Sequence, residues 1–229
     1  MLSTRKGLGV GLLVVIFTPS MQAEEHYYFL LFTAQSEPKI PRLTHTFATA
    51  IKVQHDPKTN KCTHFVASTI SWLPASLIIR PWALRAEKGH NFTLKETLCN
   101  SLKTQRVSMY GPFEIPAWFY RRFVRQVVHL DGNSVLYRAV DPYFNPKISD
   151  CMHGVTDIIP GRGRIEYPHI YYGDLSGPRI MEKLYHKQII LSSGDHSWLL
   201  PLLKLDRYPL IRRTYCPKCK KVRPALESS

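Results

Sequence analysis

The strongest constraint on the fold is a pair of strand-like segments joined by a polar turn. Alternate residues from His45 to Val53 share one face of a strand, and Phe47, Ile51 and Val53 make that face largely apolar. A polar turn follows over residues 55–60, and residues 63–73 are rich in β-branched and aromatic side chains. The sequence therefore predicts an antiparallel hairpin. Residues 27–33, which are aromatic and apolar, predict a further strand before it.

Helical patterns follow the hairpin. Thr93 and Glu96 have the spacing of a capping box, at the start of a helix predicted over residues 91–105. Pro116 precedes a second predicted helix over residues 117–130. Further elements are predicted as strands over 106–115 and 134–140 and as helices over 177–187 and 196–205.

This mixed order predicts an α+β fold in which an antiparallel sheet is packed against helices. We expect a single domain over residues 24–210. Residues 90–131 are a candidate helical insertion in that domain, and residues 211–229 are expected to form a basic tail.

The first 23 residues have the three parts of a secretory signal peptide. Arg5 and Lys6 supply the positive start, residues 8–17 form an apolar run, and Ala23 is the small residue before the predicted cleavage point. The run is about half the roughly 20 residues that a bilayer span needs. We therefore expect cleavage and a periplasmic or secreted mature protein.

The mature chain is strongly basic. Removal of residues 1–23 takes away two basic and no acidic residues, so the net charge changes from +14 to +12. This charge favours anionic partners such as envelope polymers or lipid headgroups, with peripheral contact to a membrane. It is equally typical of an ordinary solvated surface. Nucleic acid is not an expected partner, because an exported protein meets little of it.

The five cysteines leave at least one thiol unpaired within the chain. Cys216 and Cys219, in the sequence CPKC, match half of a zinc ribbon, but a closed zinc site needs four ligands and no second CxxC is present. A disulfide between them or a disordered tail is therefore favoured, and no metal or cofactor site is predicted. Cys62 and Cys99 form another candidate pair, although counting alone allows other pairings.

Cys151 is the candidate nucleophile. It follows Ser149 and Asp150, both good N-cap residues, so it is expected in the first turn of a helix. The positive end of a helix favours a thiolate and lowers the pKa of a thiol. The alternative is a structural cysteine. His153 lies two residues away and is expected to fix the helix by hydrogen bonding rather than to accept the thiol proton.

His45 is the candidate base, although a histidine on an apolar face is also typical of a core position. If the hairpin turn centres near Lys58, His45 lies opposite Ser71, with Thr69 as its neighbour. His64 would pair near Lys52, too far away to reach the same site. Ser71 is therefore the candidate for the polar group that orients the imidazole.

A histidine at the start of a hairpin, followed later by a cysteine that opens a helix, resembles the circularly permuted papain-like enzymes. These include NlpC-type peptidases and the lecithin–retinol acyltransferase group. The segment Asp150-Cys151-Met152-His153 is similar to the Asn-Cys-x-His context of that group, with Asp in place of Asn. The resemblance covers residues 44–158. It implies a permuted papain-like core and an acyl-enzyme mechanism on amide, ester or thioester bonds.

Two functions are thus predicted from the sequence. The first is an exported Cys-His hydrolase or acyltransferase that acts on envelope peptides or lipidated substrates. The second is a non-catalytic module that binds or assembles envelope material, with Cys151 in a structural role.

Overall fold

A computed structural model describes residues 24–56, 58–59, 61–140, 145–160 and 173–224. The predicted signal peptide and the last five residues of the predicted basic tail lie outside these ranges. The strands of the described part are β1 (Glu24–Ser36), β2 (Thr44–His55), β3 (Cys62–Ile70), β4 (Trp72–Pro74), β5 (Glu87–Asn91), β6 (Gln105–Glu114), β7 (Leu136–Tyr137), β8 (Ile148–Ser149), β9 (Ile211–Cys216) and β10 (Lys221–Pro224). Its α-helices are α1 (Leu94–Ser101), α2 (Ala117–Asp131), α3 (Cys151–Thr156), α4 (Gly173–His186) and α5 (Leu199–Leu202).

The strands form two sheets. A six-stranded sheet has the order β10-β9-β6-β1-β2-β3, and a four-stranded sheet has the order β4-β5-β7-β8. Neighbouring strands are antiparallel except for β6 with β9 and β7 with β8. The fold is therefore α+β, as the sequence predicts. In the described part of the chain, none of the helices has the length and apolarity needed to cross a bilayer.

Strand β1 is covered on both of its faces. Phe29 and Leu31 belong to an apolar cluster on one face of the large sheet, and Leu30 and Phe32 belong to a cluster on the other. All four are fully buried. A strand that is buried on both faces needs a continuous apolar run rather than alternation, which explains the aromatic and apolar run at the start of the predicted domain.

The two faces carry different helices. The face of Phe29 packs against residues of α2, α3 and α4, including Phe119, Met152 and Ile180. The opposite face packs against α1 and α5, through Leu98 and Leu199. α1 begins at the predicted capping box, with the Thr93 side chain accepting from the Glu96 N–H and the Glu96 side chain accepting from the Thr93 N–H.

The hairpin of β2 and β3 forms, but its register differs from the predicted one. Gln54 pairs with His64, and the last pair is Ala48 with Ile70. The hairpin turn is thus centred about one residue later than expected, and the pairing shifts by two residues. A shift of two keeps every side chain on its predicted face. The beginning of β2, before Ala48, is left uncovered by β3.

Two segments differ from the predicted organisation. The candidate helical insertion, residues 90–131, contributes β6, which lies between β1 and β9 inside the large sheet. The predicted basic tail forms the hairpin of β9 and β10 as far as Pro224, because Ile211–Arg213 pair in parallel with Ser108–Tyr110 of β6. Both pairings join residues far apart in sequence, which local patterns do not reveal.

Candidate active site

The side chain of His45 is buried near the start of β2. It is 2 % exposed, and its ring stacks on Phe47 with 5.3 Å between centroids. Its Nε2 lies 2.9 Å from Ser71 Oγ, while Nδ1 has no hydrogen-bond partner in the described part of the chain. Burial lowers the pKa of His45 from 6.5 to about 3, since a charged imidazolium is disfavoured away from water. His45 is therefore neutral at pH 7.

Ser71 reaches His45 because the chain leaves the β2–β3 hairpin after Ile70. The backbone N–H of Ser71 donates to Asn91 Oδ1 at 2.7 Å, and Asn91 Nδ2 donates to the carbonyl of Thr69 at 3.0 Å. The hydroxyl of Thr97 in α1 donates to Ser71 Oγ at 2.7 Å. The contact predicted between His45 and Ser71 is thus present. It depends on Asn91 and Thr97, which sequence reasoning missed because both come from elements packed onto the hairpin.

Cys151 opens α3, as predicted. Asp150 is the N-cap, and its Oδ1 accepts the backbone N–H of His153 at 2.7 Å. The Nδ1 atom of His153 lies 3.3 Å from the other oxygen of Asp150, so this histidine interacts within its own helix. Trp72 supports the segment before the helix by donating its indole N–H to the carbonyl of Ser149 at 3.2 Å.

The protonation state of Cys151 differs from the prediction. Burial, and secondarily the carboxylate of Asp150, raises the pKa of the Cys151 thiol from 9.0 to about 12. The backbone N–H groups of Thr46, Cys151 and Met152 face the sulfur and act in the opposite direction. The expectation of a lowered pKa was wrong because removal of the thiol from water, and secondarily the Asp150 carboxylate, outweigh the backbone N–H groups at the start of α3.

The two side chains meet the same end of β2 from different directions. His45 lies on the face that packs against α1, through Thr97 and Ser71. Cys151 approaches the backbone of Thr46, the residue that follows His45, where β3 no longer covers β2. The helix on the His45 face is therefore α1, whereas α3 packs on the face of Phe29 and brings Cys151 to the backbone of Thr46.

Helix α4 packs over the same end of β2. Ser176 Oγ lies 2.7 Å from Thr46 Oγ1, and it also donates to the carbonyl of Gly173 at 2.7 Å. A Cβ at Gly173 would lie 2.1 Å from the carbonyl oxygen of Ala34. Ala34 lies in β1 and pairs with His45 of β2. Glycine is therefore required for α4 to lie this close to β1, the strand that pairs with the one carrying His45.

The structure brings His45 to Ser71, and it places Cys151 beside Asp150 and the backbone of Thr46, with no interaction between the thiol and the imidazole among the described contacts. All five cysteines are free thiols, so Cys151 is available for chemistry. Within the described residues, no group of three or more His, Cys, Asp or Glu side chains is arranged to hold a metal ion. The groups near this end of β2 that can exchange protons include the Cys151 thiol, the His45 imidazole and the hydroxyls of Ser71 and Thr97.

Comparison of the chain with protein-family models, curated protein sequences and solved structures finds no match.

Proposed function

We propose that the protein is an exported thiol hydrolase or acyltransferase with a permuted papain-like core. Cys151 is the nucleophile, His45 the general base and Ser71 the group that orients the imidazole. The observation that carries the proposal is the unequal environment of the two ring nitrogens of His45. Nε2 has a fixed partner, while the buried Nδ1 has none among the described residues.

A buried nitrogen without a partner is costly, by about 1–3 kcal/mol. Such atoms call for an explanation, and a base that must accept a proton during catalysis is one. For Nδ1 to accept, Nε2 must carry the ring hydrogen and donate it to Ser71 Oγ. The hydrogen bonds of Ser71 with Asn91 and Thr97 hold its hydroxyl oxygen, the acceptor, in place. Orienting the imidazole in this way is the role of the third residue in Cys-His enzymes.

The raised pKa of Cys151 and the lowered pKa of His45 define the form of the first step. The resting pair is uncharged, so the thiol proton moves to His45 Nδ1 as the sulfur bonds to the substrate carbonyl carbon. The carbonyl electron pair moves to its oxygen, where the backbone N–H of Cys151 at the mouth of α3 stabilises the charge. His45 then returns the proton to the leaving group, and water or an acceptor takes the acyl group from the thioester.

Amide or ester bonds of envelope material are the proposed substrate class. Support comes from the signal-like start of the chain and from the charge of +12 that remains without it, since envelope polymers and lipid headgroups are anionic. The second candidate is a non-catalytic module that binds such material. The raised pKa of Cys151 favours it, because a resting thiolate is the usual mark of an activated cysteine.

Acylation of a single-thiol protein tests the proposal. Serine replaces the four other cysteines, and circular dichroism checks that the fold is kept. The protein is mixed with p-nitrophenyl acetate, and intact mass spectrometry follows the acetyl adduct. We expect one acetyl group per chain on Cys151, loss of this adduct in His45→Gln, and no loss in Thr49→Val, which removes a buried hydroxyl on the same strand.

The pH profile gives an independent readout. Because the pKa of His45 is about 3, the rate of acetylation stays on a plateau from pH 8 down to about pH 4. A folded single-thiol protein that gains no acetyl group, or gains it equally in His45→Gln, would overturn the proposal in favour of the binding module.

A further inference from the structure

The loop between β4 and β5 exposes a group of large apolar side chains to solvent. Trp82 is 75 % exposed and Leu84 is 86 % exposed, and Leu77 and Ile78 are exposed as well. None of the four belongs to either apolar cluster of the described residues. Apolar residues scattered singly over a surface need no explanation, whereas a group of them in one short loop marks a site of interaction.

Hydrogen bonds at its base fix the two ends of this loop. The N–H of Ala75 donates to the carbonyl of Lys88 at 2.9 Å, which extends the pairing of β4 with β5 by one step. The hydroxyl of Ser76 donates to Glu87 Oε2 at 3.0 Å. The loop is therefore held at the end of a hairpin, with its apolar side chains exposed beyond the paired strands.

A β-turn carries Trp82 within this loop. The N–H of Ala83 donates to the carbonyl of Arg80 at 3.1 Å, and Pro81 occupies the second position of the turn, where its fixed φ is favoured. Trp82 occupies the third position. Because the hydrogen bond and the proline ring already restrict this backbone, little conformational freedom is lost when the indole moves into a new environment.

Basic side chains accompany the apolar ones. Arg80, Arg85 and Lys88 are exposed, and the one acidic residue of the loop sequence, Glu87, lies 3.8 Å from Arg80 in an ion pair. An excess of positive charge thus remains beside the apolar group. Tryptophan is enriched at the boundary between acyl chains and headgroups, and the long side chains of Arg and Lys reach anionic lipid headgroups from that depth.

We propose that residues 77–84 insert into the interfacial region of an anionic bilayer. Trp82 and Leu84 reach the acyl chains, and Arg85 and Lys88 contact lipid phosphates. Insertion by roughly 5–10 Å is typical of protein segments that lie in this region. A specific protein partner would need about 20–30 residues on each side, more than this loop provides. The inference goes beyond the proposed function and does not depend on Cys151.

Binding to lipid vesicles tests the proposal. Vesicles of phosphatidylcholine, alone or mixed with phosphatidylglycerol, are sedimented with the full chain and with the chain from Glu24, because the apolar run of residues 8–17 can itself bind lipid. We expect the shorter chain to bind the mixed vesicles, and to bind them less tightly at high salt, which screens the basic side chains.

Tryptophan fluorescence reports whether the loop is inserted. Lipids brominated on their acyl chains should quench the fluorescence of both chains. Trp82→Phe should remove most of this quenching while binding persists, since phenylalanine keeps an apolar ring at the same position.

Paired substitutions locate the contact. Trp82→Ser combined with Leu84→Ser should weaken vesicle binding of the shorter chain by about tenfold or more, because the two most exposed apolar side chains of the loop are lost. Trp118→Ser combined with Val128→Ser is the matched control, since both residues are exposed apolar residues of α2. The control should bind as the unsubstituted chain does, and circular dichroism checks that each variant is folded.

The proposal is overturned if the shorter chain fails to bind the mixed vesicles, if the paired loop substitutions leave binding unchanged, or if quenching persists in Trp82→Phe. A dimer seen by light scattering without lipid, lost in the loop variant and accompanied by no vesicle binding, would also overturn it and assign the loop to a contact with a second copy.

Discussion

Acid unfolding of a His45→Gln variant probes the buried imidazole most directly. The pKa of His45 is about 3 in the folded chain and 6.5 in its ordinary environment. Between these values the unfolded chain binds a proton that the folded chain does not, so stability falls as the pH falls. Linkage gives a loss of roughly 3 kcal/mol between pH 7 and pH 4 from this one group.

Glutamine does not titrate, and its amide reaches the Ser71 hydroxyl from nearly the same position as the Nε2 atom. The variant is expected to be less stable than the wild type at pH 7, because it loses the ring contact with Phe47. The difference in the free energy of unfolding between the two proteins should then become smaller by roughly 3 kcal/mol at pH 4. Urea unfolding, followed by tryptophan fluorescence at several pH values, measures this difference.

His64→Gln is the matched control, since His64 lies exposed on the neighbouring strand. The free energy of unfolding of this variant should change between pH 7 and pH 4 by the same amount as that of the wild type. If wild type and His45→Gln lose stability in parallel between pH 7 and pH 4, then His45 is not a buried neutral imidazole. The mechanism proposed above would then lack its proton acceptor.

Three further substitutions test the surroundings of the site. Ser71→Ala leaves Nε2 of His45 without a partner, so the free energy of unfolding in urea should fall by about 1–3 kcal/mol. Acetylation of Cys151 should also be lost, although the substitution does not touch the thiol. Gly89→Ala places a Cβ 1.9 Å from the indole ring of Trp72. It should destabilise the fold by about 1–3 kcal/mol through overpacking, and a midpoint equal to that of wild type would contradict this contact. The pKa of Cys151 is raised from 9.0 to about 12 in the folded chain. The protonated thiol therefore contributes to the free energy of unfolding below pH 9, and this contribution is lost as the pH rises towards 12. Relative to Cys151→Ala, the wild type should lose up to about 2 kcal/mol of unfolding free energy between pH 8 and 10.5. Equal losses in both proteins would rule out a raised pKa of the Cys151 thiol, which is partly exposed.

The predictable parts of the fold are those that rest on local chemistry. The capping box of Thr93 and Glu96 starts α1, and Asp150 caps α3 so that Cys151 opens it. The face of β2 that carries His45 follows from alternation alone, and it survived an error of two residues in the register.

The remaining parts depend on contacts between distant segments. Ser71 contacts His45 only because Asn91 and Thr97 hold the chain after β3, and neither residue carries a sequence signal for that role. The pKa of Cys151 shows a different difficulty. The carboxylate that makes Asp150 a good helix cap also opposes ionisation of the thiol, so one residue type supports two opposite expectations until burial is known.

The parallel pairing of β9 with β6 has a consequence for biosynthesis. β6 leaves the ribosome about a hundred residues before β9, so the edge of its backbone that pairs with β9 has no such partner until residues 211–213 have been made. An open strand edge is a template for pairing with other chains. Translation products that stop before residue 211 should therefore aggregate more readily than products that include β9, and holding nascent chains apart until β9 has been made should raise the yield of folded protein.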